Sequence, residues 1–122
     1  MESKILIYGF LTEDVQLIDG KNKNKDGRMV VAVNISKEIT EYYTVFEYNI
    51  SERRAKLLTK GTFVQVYGPV SYKIYINPKV TEEIDGTKMN EDPALFINDL
   101  KKYIHINKTI RAKDFEIVFS KN

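Results

Sequence analysis

Residues 41–49, EYYTVFEYN, limit the possible fold more than any other stretch of this chain, because large side chains recur there with a period of two. Alternation along a β-strand divides this stretch into two faces, with Tyr42, Thr44, Phe46 and Tyr48 on one and Tyr43, Val45 and Glu47 on the other. The three rings of the first face predict either a well-filled β core or flat surfaces laid out for a ligand. Glu47 fits poorly beside Val45 on the inner face, and a bulge, a strand end or a subunit contact is needed to accommodate it.

Strand-like patterns also cover residues 4–11 (KILIYGFL), 28–36 (RMVVAVNIS), 62–70 (TFVQVYGPV), 71–77 (SYKIYIN) and 109–120 (TIRAKDFEIVFS). The continuous apolar centre of residues 28–36 predicts burial on both faces. Gly68-Pro69 is expected to break or bulge the strand that contains it. Residues 109–120 are expected to form a single closing strand.

Two helices are predicted between these strands. Residues 51–61 (SERRAKLLTKG) begin with Ser51 as an N-cap and end at Gly61. Residues 92–106 begin with Asp-Pro and carry an apolar stripe, which predicts an inserted helix near residues 93–104. Residues 19–27 (DGKNKNKDG) form a turn-rich loop with three lysines, either a hairpin tip or a basic arm over a ligand.

The order of these elements is typical of an OB-fold, a small Greek-key barrel that binds oligonucleotides or oligosaccharides. We therefore predict an all-β fold with minor α content: a five-stranded barrel with one helix between strands 3 and 4. A length of 122 residues fits a single OB-fold domain over residues 1–122.

Composition argues against several functional classes. The chain has no cysteine and a single histidine, His105, which sits among isoleucines, so we predict no catalytic residues, no metal site and no cofactor. The chain is therefore predicted not to be an enzyme. No apolar run approaches the roughly 18 residues that span a bilayer, and no signal peptide precedes the first strand, so a cytoplasmic location without membrane association is expected.

Several of these segments resemble bacterial-type single-stranded DNA-binding proteins. The resemblance rests on Gly9-Phe10-Leu11 as a Gly-x-Leu segment, on the aromatics Tyr42 and Tyr48 six positions apart, on Lys60-Gly61 after the short helix, on V-x-V-x-G from Val64 to Gly68, and on Tyr75. It covers roughly residues 4–77 and 109–119. It implies binding of single-stranded DNA without strong sequence preference, protection of that strand in replication, recombination or repair, and assembly into a homo-oligomer, a tetramer or a dimer.

The chain departs from this family in three respects. It has no tryptophan, so tyrosines would have to stack on the bases; it carries the inserted helix; and it ends in FSKN without the acidic tail through which family members recruit replication and repair proteins. These departures indicate a diverged member, of a phage or mobile-element type, or a related primosomal protein.

Binding to a single strand needs flat rings for the bases and cations for the phosphates. The predicted stacking residues are Tyr42, Tyr48, Tyr72 and Tyr75, with Phe46 as a weaker candidate, and the predicted phosphate contacts are Arg28, Lys37, Lys73, Lys79 and the loop lysines Lys21, Lys23 and Lys25. Charge along the chain agrees in part, because residues 81–99 carry one basic and six acidic side chains while residues 41–80 and 100–122 are basic.

Two alternatives stay open at this stage. The tyrosines of an OB-like barrel can instead form a protein interface, as in an adaptor or primosomal module, because tyrosine is enriched at such interfaces as well. A sequence-specific RNA-binding protein is the third possibility.

Overall fold

The computed structural model of the protein describes residues 3–20, 25–76 and 104–119. The helix and the strands in these ranges are β1 (Lys4–Leu11), β2 (Gln16–Asp19), β3 (Lys25–Asn34), β4 (Thr40–Ile50), α1 (Glu52–Ala55), β5 (Phe63–Ile76), β6 (Ile104–Arg111) and β7 (Asp114–Phe119). The mainly β fold with little helix agrees with the sequence prediction.

Five of the strands close into a ring. Neighbouring strands pair in the order β1-β3-β4-β6-β5, and β5 pairs again with β1, while β2 and β7 add to β3 and β5 at the margins. The β4–β6 pair is parallel, and the other pairs whose register is resolved are antiparallel. In chain order the ring strands are β1, β3, β4, β5 and β6, so α1 lies between the third and fourth, as predicted for the five-stranded barrel.

The ring encloses an apolar core to which every ring strand contributes. The fully buried side chains include Val31 of β3, Val45 of β4, Val64 and Val66 of β5, and Ile110 of β6. Alternation in the sequence predicted correctly that Val45 of β4 points inward, and it put Val64 and Val66 of β5 on one face, which is the buried one. Gly9 of β1 is the close-approach point of the ring, because a Cβ atom there would collide with the backbone of β3.

Helix α1 is shorter than predicted. It has four residues, Glu52–Ala55, and its N-cap is Ser51, whose hydroxyl accepts a hydrogen bond from the Arg54 N–H at 3.1 Å. Gly61 has φ 90°, the left-handed conformation expected where the connection turns into β5.

Several strand predictions need correction. Residues 109–119 form two strands, not one, because the chain turns at Ala112 and Lys113 between its pairing with β4 and its pairing with β5. Strand β5 runs through Gly68-Pro69 without a break. The strand β2 was not predicted, and it pairs with β3 from Gln16 opposite Arg28 to Asp19 opposite Lys25. Residues 21–24 of the lysine-rich segment lie outside the described residues.

Burial in β3 also differs from the prediction. Gly27, Met29 and Val31 are buried, while Val30 and Ala32 on the other face of the strand are half-buried. The strand therefore has one core face, because only one of its faces lies inside the ring. The predicted helix near residues 93–104 falls outside the described residues except at Ile104, which begins β6.

The chain divides into two compact units, Met1–Ser71 with Lys108–Asn122, and Tyr72–Asn107. The first contains the core described above. In the second, the described residues are the end of β5 and the start of β6. The prediction of a single domain over residues 1–122 stays a prediction.

Candidate nucleic-acid interface

The outer face of β4 carries the aromatic residues that the sequence singled out. Tyr42 is 58% exposed and Tyr48 is 52% exposed, Phe46 between them is half-buried, and Tyr43 and Val45 point into the core. The alternation inferred from residues 41–49 is therefore confirmed, and the rings of Tyr42 and Tyr48 are not used to fill the core.

Arginines flank the central ring of this face. In the antiparallel β3–β4 pair Phe46 lies opposite Arg28, and in the parallel β4–β6 pair it lies opposite Arg111. Directly paired residues on neighbouring strands project to the same side of a sheet, so the ring has a guanidinium-bearing residue on each side. We call Arg28, Phe46 and Arg111, together with Tyr42 and Tyr48, the β4 face.

Arg28 contacts Gln16 of the adjacent strand β2 and lies near Glu13 of the connection between β1 and β2. Its Nη1 donates to the Gln16 Oε1 at 3.2 Å and lies 4.0 Å from the Glu13 Oε1, and its side chain keeps 37% of its exposure. A loose ion pair of this kind in solvent contributes little, so the guanidinium can turn to an incoming anion at small cost.

The spacing of the rings suits unstacked bases. Phe46 and Tyr48 are two residues apart on one strand face, which corresponds to about 7 Å, and Tyr42 lies about 13 Å further along. Stacked nucleotides of one strand are separated by only about 3.4 Å. Bases placed on successive rings of β4 would therefore be spread apart and stack on protein.

The end of β4 is shaped by an irregular backbone. Asn49 has φ 57°, and its N–H donates to the Asp26 Oδ1 at 2.9 Å. The β3–β4 register shifts between Lys25 and Gly27, opposite this point. Asparagine is one of the few residues that tolerates the left-handed conformation, so this arrangement fixes how β4 leaves the face just after Tyr48.

Glu47, the residue that did not fit the inner face, is paired with a residue of α1. Its Oε1 lies 2.7 Å from the Arg54 Nε, and the Arg54 Nη2 donates to the Phe115 carbonyl oxygen at 2.7 Å. Because it lies on the predicted helix over residues 51–61, Arg54 is expected to be simply solvated, and these contacts show that the expectation is wrong. The guanidinium also lies over the Phe115 ring, 5.4 Å from its centroid, so this pair ties β4, α1 and β7 together.

The Glu47 carboxylate is held at an energetic cost. Its side chain is 17% exposed, and its Oε2 is buried without a hydrogen-bond partner among the residues that the structure describes. Burial raises the pKa of the Glu47 carboxyl above the ordinary value of 4.5, and the Arg54 charge opposes that rise. The pair is therefore a constraint on geometry more than a source of stability.

The carboxylate of Glu41, also on β4, lies in surroundings that stabilise its charged form, unlike that of Glu47. Glu41 Oε2 accepts hydrogen bonds at 3.0 Å from the Lys108 ammonium and from the Tyr43 hydroxyl. The Lys108 bond, followed by that from Tyr43, lowers the pKa of the Glu41 carboxyl. The Lys108 ammonium lies 5.1 Å from the Tyr43 ring centroid, which fixes this buried tyrosine at the end of the core.

In the second unit, the predicted residues Tyr72, Lys73 and Tyr75 are all exposed on β5. Lys73 Nζ lies 5.1 Å from the centroid of the Tyr75 ring, so these two share a face. Strand alternation places Tyr72, together with Ile74, on the opposite face. One strand lying on one face of this ribbon can therefore contact Tyr75 or Tyr72, but not both.

The remaining predicted phosphate contacts are dispersed. Lys37 is exposed in the connection between β3 and β4, and Lys25, at the start of β3, is ion-paired with Asp19. Lys21, Lys23 and Lys79 lie outside the described residues.

A second group of rings was predicted only in part, because the sequence indicated Phe63 and Phe119 as core or interface residues but did not single out Tyr8 and Phe10. On the outer side of β1, Tyr8 is 48% and Phe10 44% exposed, and Phe63 of β5 packs beside them with ring centroids 6.4 Å from Tyr8 and 4.8 Å from Phe10. In the β5–β7 pair Phe63 lies opposite Phe119, which is 62% exposed. Both faces of β1 read as apolar in the sequence, so no pattern could have told which one is buried. We call Tyr8, Phe10, Phe63 and Phe119 the β1 aromatic cluster.

Other kinds of site find no support in the part of the chain that the structure covers. Residues 3–20, 25–76 and 104–119 contain no group of three histidines or acidic residues placed to hold a metal ion. The same ranges contain no helix that is long and apolar enough to cross a membrane.

Comparison with solved structures shows the fold. The chain superposes on a small single-stranded DNA-binding protein of Streptomyces coelicolor with a TM-score of 0.65 and 14% identity, covering 96% of this chain and 94% of that one. It superposes on a deletion mutant of the single-stranded DNA-binding protein of Thermus aquaticus with a TM-score of 0.59 and 17% identity, covering all of this chain but only 43% of that one. A third match is the dimeric N-terminal domain of PriB from Thermoanaerobacter tencongensis, with a TM-score of 0.56 and 14% identity, covering 96% and 97% of the two chains.

These matches define the chain as an OB-fold of the kind found in single-stranded DNA-binding proteins. At these identities the likeness is one of fold. No protein-family model matches the sequence, and no curated protein matches it.

Proposed function

We propose that the protein binds single-stranded DNA, without strong sequence preference, across the β4 face. The observation that carries the proposal is the exposure of Tyr42 and Tyr48 on one strand face, on either side of a ring flanked by Arg28 and Arg111. Aromatic rings beside cations are the two elements of a single-strand site, and each stacked base contributes about 1–3 kcal/mol.

The roles of the residues follow from their positions. Tyr42 and Tyr48 stack on bases, Phe46 supports the base between them, and Arg28 and Arg111 contact phosphates. Tyr75 and Lys73 of the second unit offer the same pairing of a ring with a cation, 5.1 Å apart. Stacking makes no use of base edges, so little preference among sequences is expected.

The function of proteins with similar structures supports this proposal. Two of them are single-stranded DNA-binding proteins. We extend the proposal to protection of exposed single strands during replication, recombination or repair, in the cytoplasm.

The direct test is a titration with a fluorescent thymidine oligomer of about 35 nucleotides, longer than the roughly 4–16 that one OB-fold covers. Affinity should fall with salt, with a log–log slope of about −0.7 for each phosphate neutralised, and the matching duplex should bind weakly. A uridine oligomer of the same length tests the preference for DNA over RNA. Absence of binding to any single strand at low salt would exclude the proposal.

A second proposal concerns assembly: copies of the chain associate through the β1 aromatic cluster. Three of its rings are 44–62% exposed and lie on neighbouring strands, a combination more typical of a protein interface than of free surface. Asp114 and Glu116 project from β7 on the same side, opposite Tyr67 and Gln65 of β5, and their charges disfavour a polyanion there. The dimeric PriB domain is a precedent for assembly on this fold.

Light scattering on the purified protein tests the assembly. The wild type should have the mass of a dimer or tetramer, and Phe10→Ser should shift it toward the monomer, while Leu57→Ser, an exposed apolar residue outside the cluster, should not. A monomeric wild type would reject this proposal and leave the DNA-binding proposal standing.

A further inference from the structure

His105, the single histidine of the chain, lies beside one of the candidate stacking rings. It is exposed on β6, and its ring centroid is 6.5 Å from that of Tyr75 on β5, with the two ring planes at 33°. Both residues belong to the second unit, Tyr72–Asn107. From the sequence this histidine, which sits between two isoleucines, is predicted to be neither a catalytic residue nor a metal ligand.

Lys73 completes a group of three side chains on one face of this ribbon. Its Nζ lies 5.1 Å from the Tyr75 ring centroid, and Tyr75 is 44% exposed. Because the two rings are tilted and separated by 6.5 Å, neither covers the other, and each leaves a surface open to a flat ligand. We call Lys73, Tyr75 and His105 the ribbon cluster.

Among the described residues of the second unit, the charged group near the imidazole is a cation, the Lys73 ammonium beside the Tyr75 ring. On β5 the neighbouring side chains of this face are Lys73 and Tyr75. On β6, the strand of His105 itself, the next residue of the same face is Asn107, which is uncharged. Among the described residues of this unit there is no carboxylate. A phosphate placed beside His105 would meet a positive group once the imidazole is protonated, and the Lys73 ammonium beside the Tyr75 ring adds to the attraction for an anion.

We propose that His105 is a contact of the bound single strand and holds a phosphate as an imidazolium, next to a base stacked on Tyr75. The proposal rests on the proposed single-strand binding and adds a residue and a pH dependence to it. Binding is then coupled to the uptake of one proton from solvent, and the strand binds more tightly at lower pH. No covalent step is involved.

The composition makes this coupling measurable. Imidazole is the side chain whose ordinary charge change falls between about pH 5 and 8. The chain has no cysteine and one histidine, and thymidine oligomers carry constant charge near neutrality, so replacing His105 isolates the imidazole contribution to any pH effect on binding.

The experiment compares affinities for the same thymidine oligomer at about pH 6 and about pH 8, at constant ionic strength. The wild type should bind about two- to fivefold more tightly at the lower pH, the range of an exposed ion pair. The log–log salt slope should be steeper at the lower pH by about 0.7, because one more phosphate is neutralised.

Three substitutions separate charge from ring. His105→Gln should abolish the difference between the two pH values, and His105→Tyr, which keeps a ring without the charge, should abolish it as well. His105→Lys should bind tightly and equally at both pH values. Since the side chain is exposed, the variants should unfold at the wild-type temperature, which circular dichroism checks.

The outcomes distinguish the two proposals. Tight, salt-sensitive binding with the same affinity at both pH values would overturn the role of His105 and leave single-strand binding intact. A pH effect that survives in His105→Gln would also overturn it, because another group would then take up the proton. If the wild type binds no single strand at either pH, the proposed function and this inference both fail.

Discussion

Replacing Arg54 by methionine should destabilise the protein far more than the same change at its neighbour Arg53. Methionine keeps the apolar contact with the Phe115 ring and removes the guanidinium. The change takes away the 2.7 Å contact with Glu47 and the 2.7 Å hydrogen bond to the Phe115 carbonyl oxygen. The Glu47 carboxylate, whose side chain is only 17% exposed, then has lost its ion-pair partner.

The magnitude follows from that burial. Removing one partner of a buried ion pair costs about 3–5 kcal/mol, and because the Arg54 side chain is 32% exposed, water reduces the cost here to about 2–3 kcal/mol at neutral pH. In a domain of this size the melting temperature should fall by roughly 8–12 °C. Arg53→Met is the matched control, since Arg53 is exposed and lies on the same helix, and it should change the free energy of unfolding by less than about 0.5 kcal/mol.

The pH dependence supplies a second, independent readout. Burial raises the pKa of the Glu47 carboxyl, so its contribution to stability is fully present below the unfolded-state pKa and is lost as pH rises through the folded-state value. In Arg54→Met that pKa rises further, because the opposing charge is gone. The deficit of the variant should therefore shrink as pH falls from about 7 toward 5.

Urea denaturation followed by tyrosine fluorescence at both pH values measures these quantities. The double variant Glu47→Gln, Arg54→Met should recover part of the loss at neutral pH, because no charge is then left buried. Equal losses in Arg54→Met and Arg53→Met, or a deficit that is the same at both pH values, would refute the reasoning.

Three further predictions concern β4. Tyr42→Ala should weaken binding to the thymidine oligomer about 5- to 150-fold, the cost of one lost base stack, while Tyr42→Phe should stay near the wild type; equal affinities of the alanine and phenylalanine variants would contradict stacking there. Asn49→Val should reduce the free energy of unfolding by about 1–2 kcal/mol in a urea titration, because φ 57° is costly for a β-branched residue, and Asn49→Gly should be tolerated; equal stability of the two variants would show that the backbone relaxes. The lowered pKa of the Glu41 carboxyl means that its contribution to stability is present above the unfolded-state pKa and is lost as pH falls through the folded-state value. Glu41→Gln should therefore flatten the acid side of the plot of melting temperature against pH. A plot that is the same in the wild type and the variant would contradict this prediction.

The sequence predicted the strands of the ring well because burial imposes a period of two. Alternation alone placed Val45 inward and put Val64 and Val66 together on one face, and all three are buried. Alternation does not reveal a turn between two strands, however, and in residues 109–119 apolar and polar residues keep alternating across the turn at Ala112. Both strands of this segment have a core face, so an unbroken pattern was wrongly taken to mean one unbroken strand.

The candidate site was predictable only in its local part. The exposure of Tyr42 and Tyr48 followed from the strand period, but the position of Arg111 beside Phe46 depends on a parallel pairing between strands more than sixty residues apart. Glu47, on the inner face of β4, is a second case in which a contact with another element could not be predicted from the local pattern. Its direction was predicted correctly, and its partner Arg54 was not, because the contact is made by a helix whose position only the folded chain defines.

The double pairing of β1 has a consequence for how fast the chain can reach this structure. The hairpin of β3 and β4 needs only neighbouring residues, whereas the closing pair joins Ile7 to Val66. The entropy of closing the long loop between these two residues is lost before their contact can stabilise the fold. Proteins rich in such remote β pairings fold in about milliseconds to seconds. Closure of the ring by the β1–β5 pair should therefore limit the folding rate.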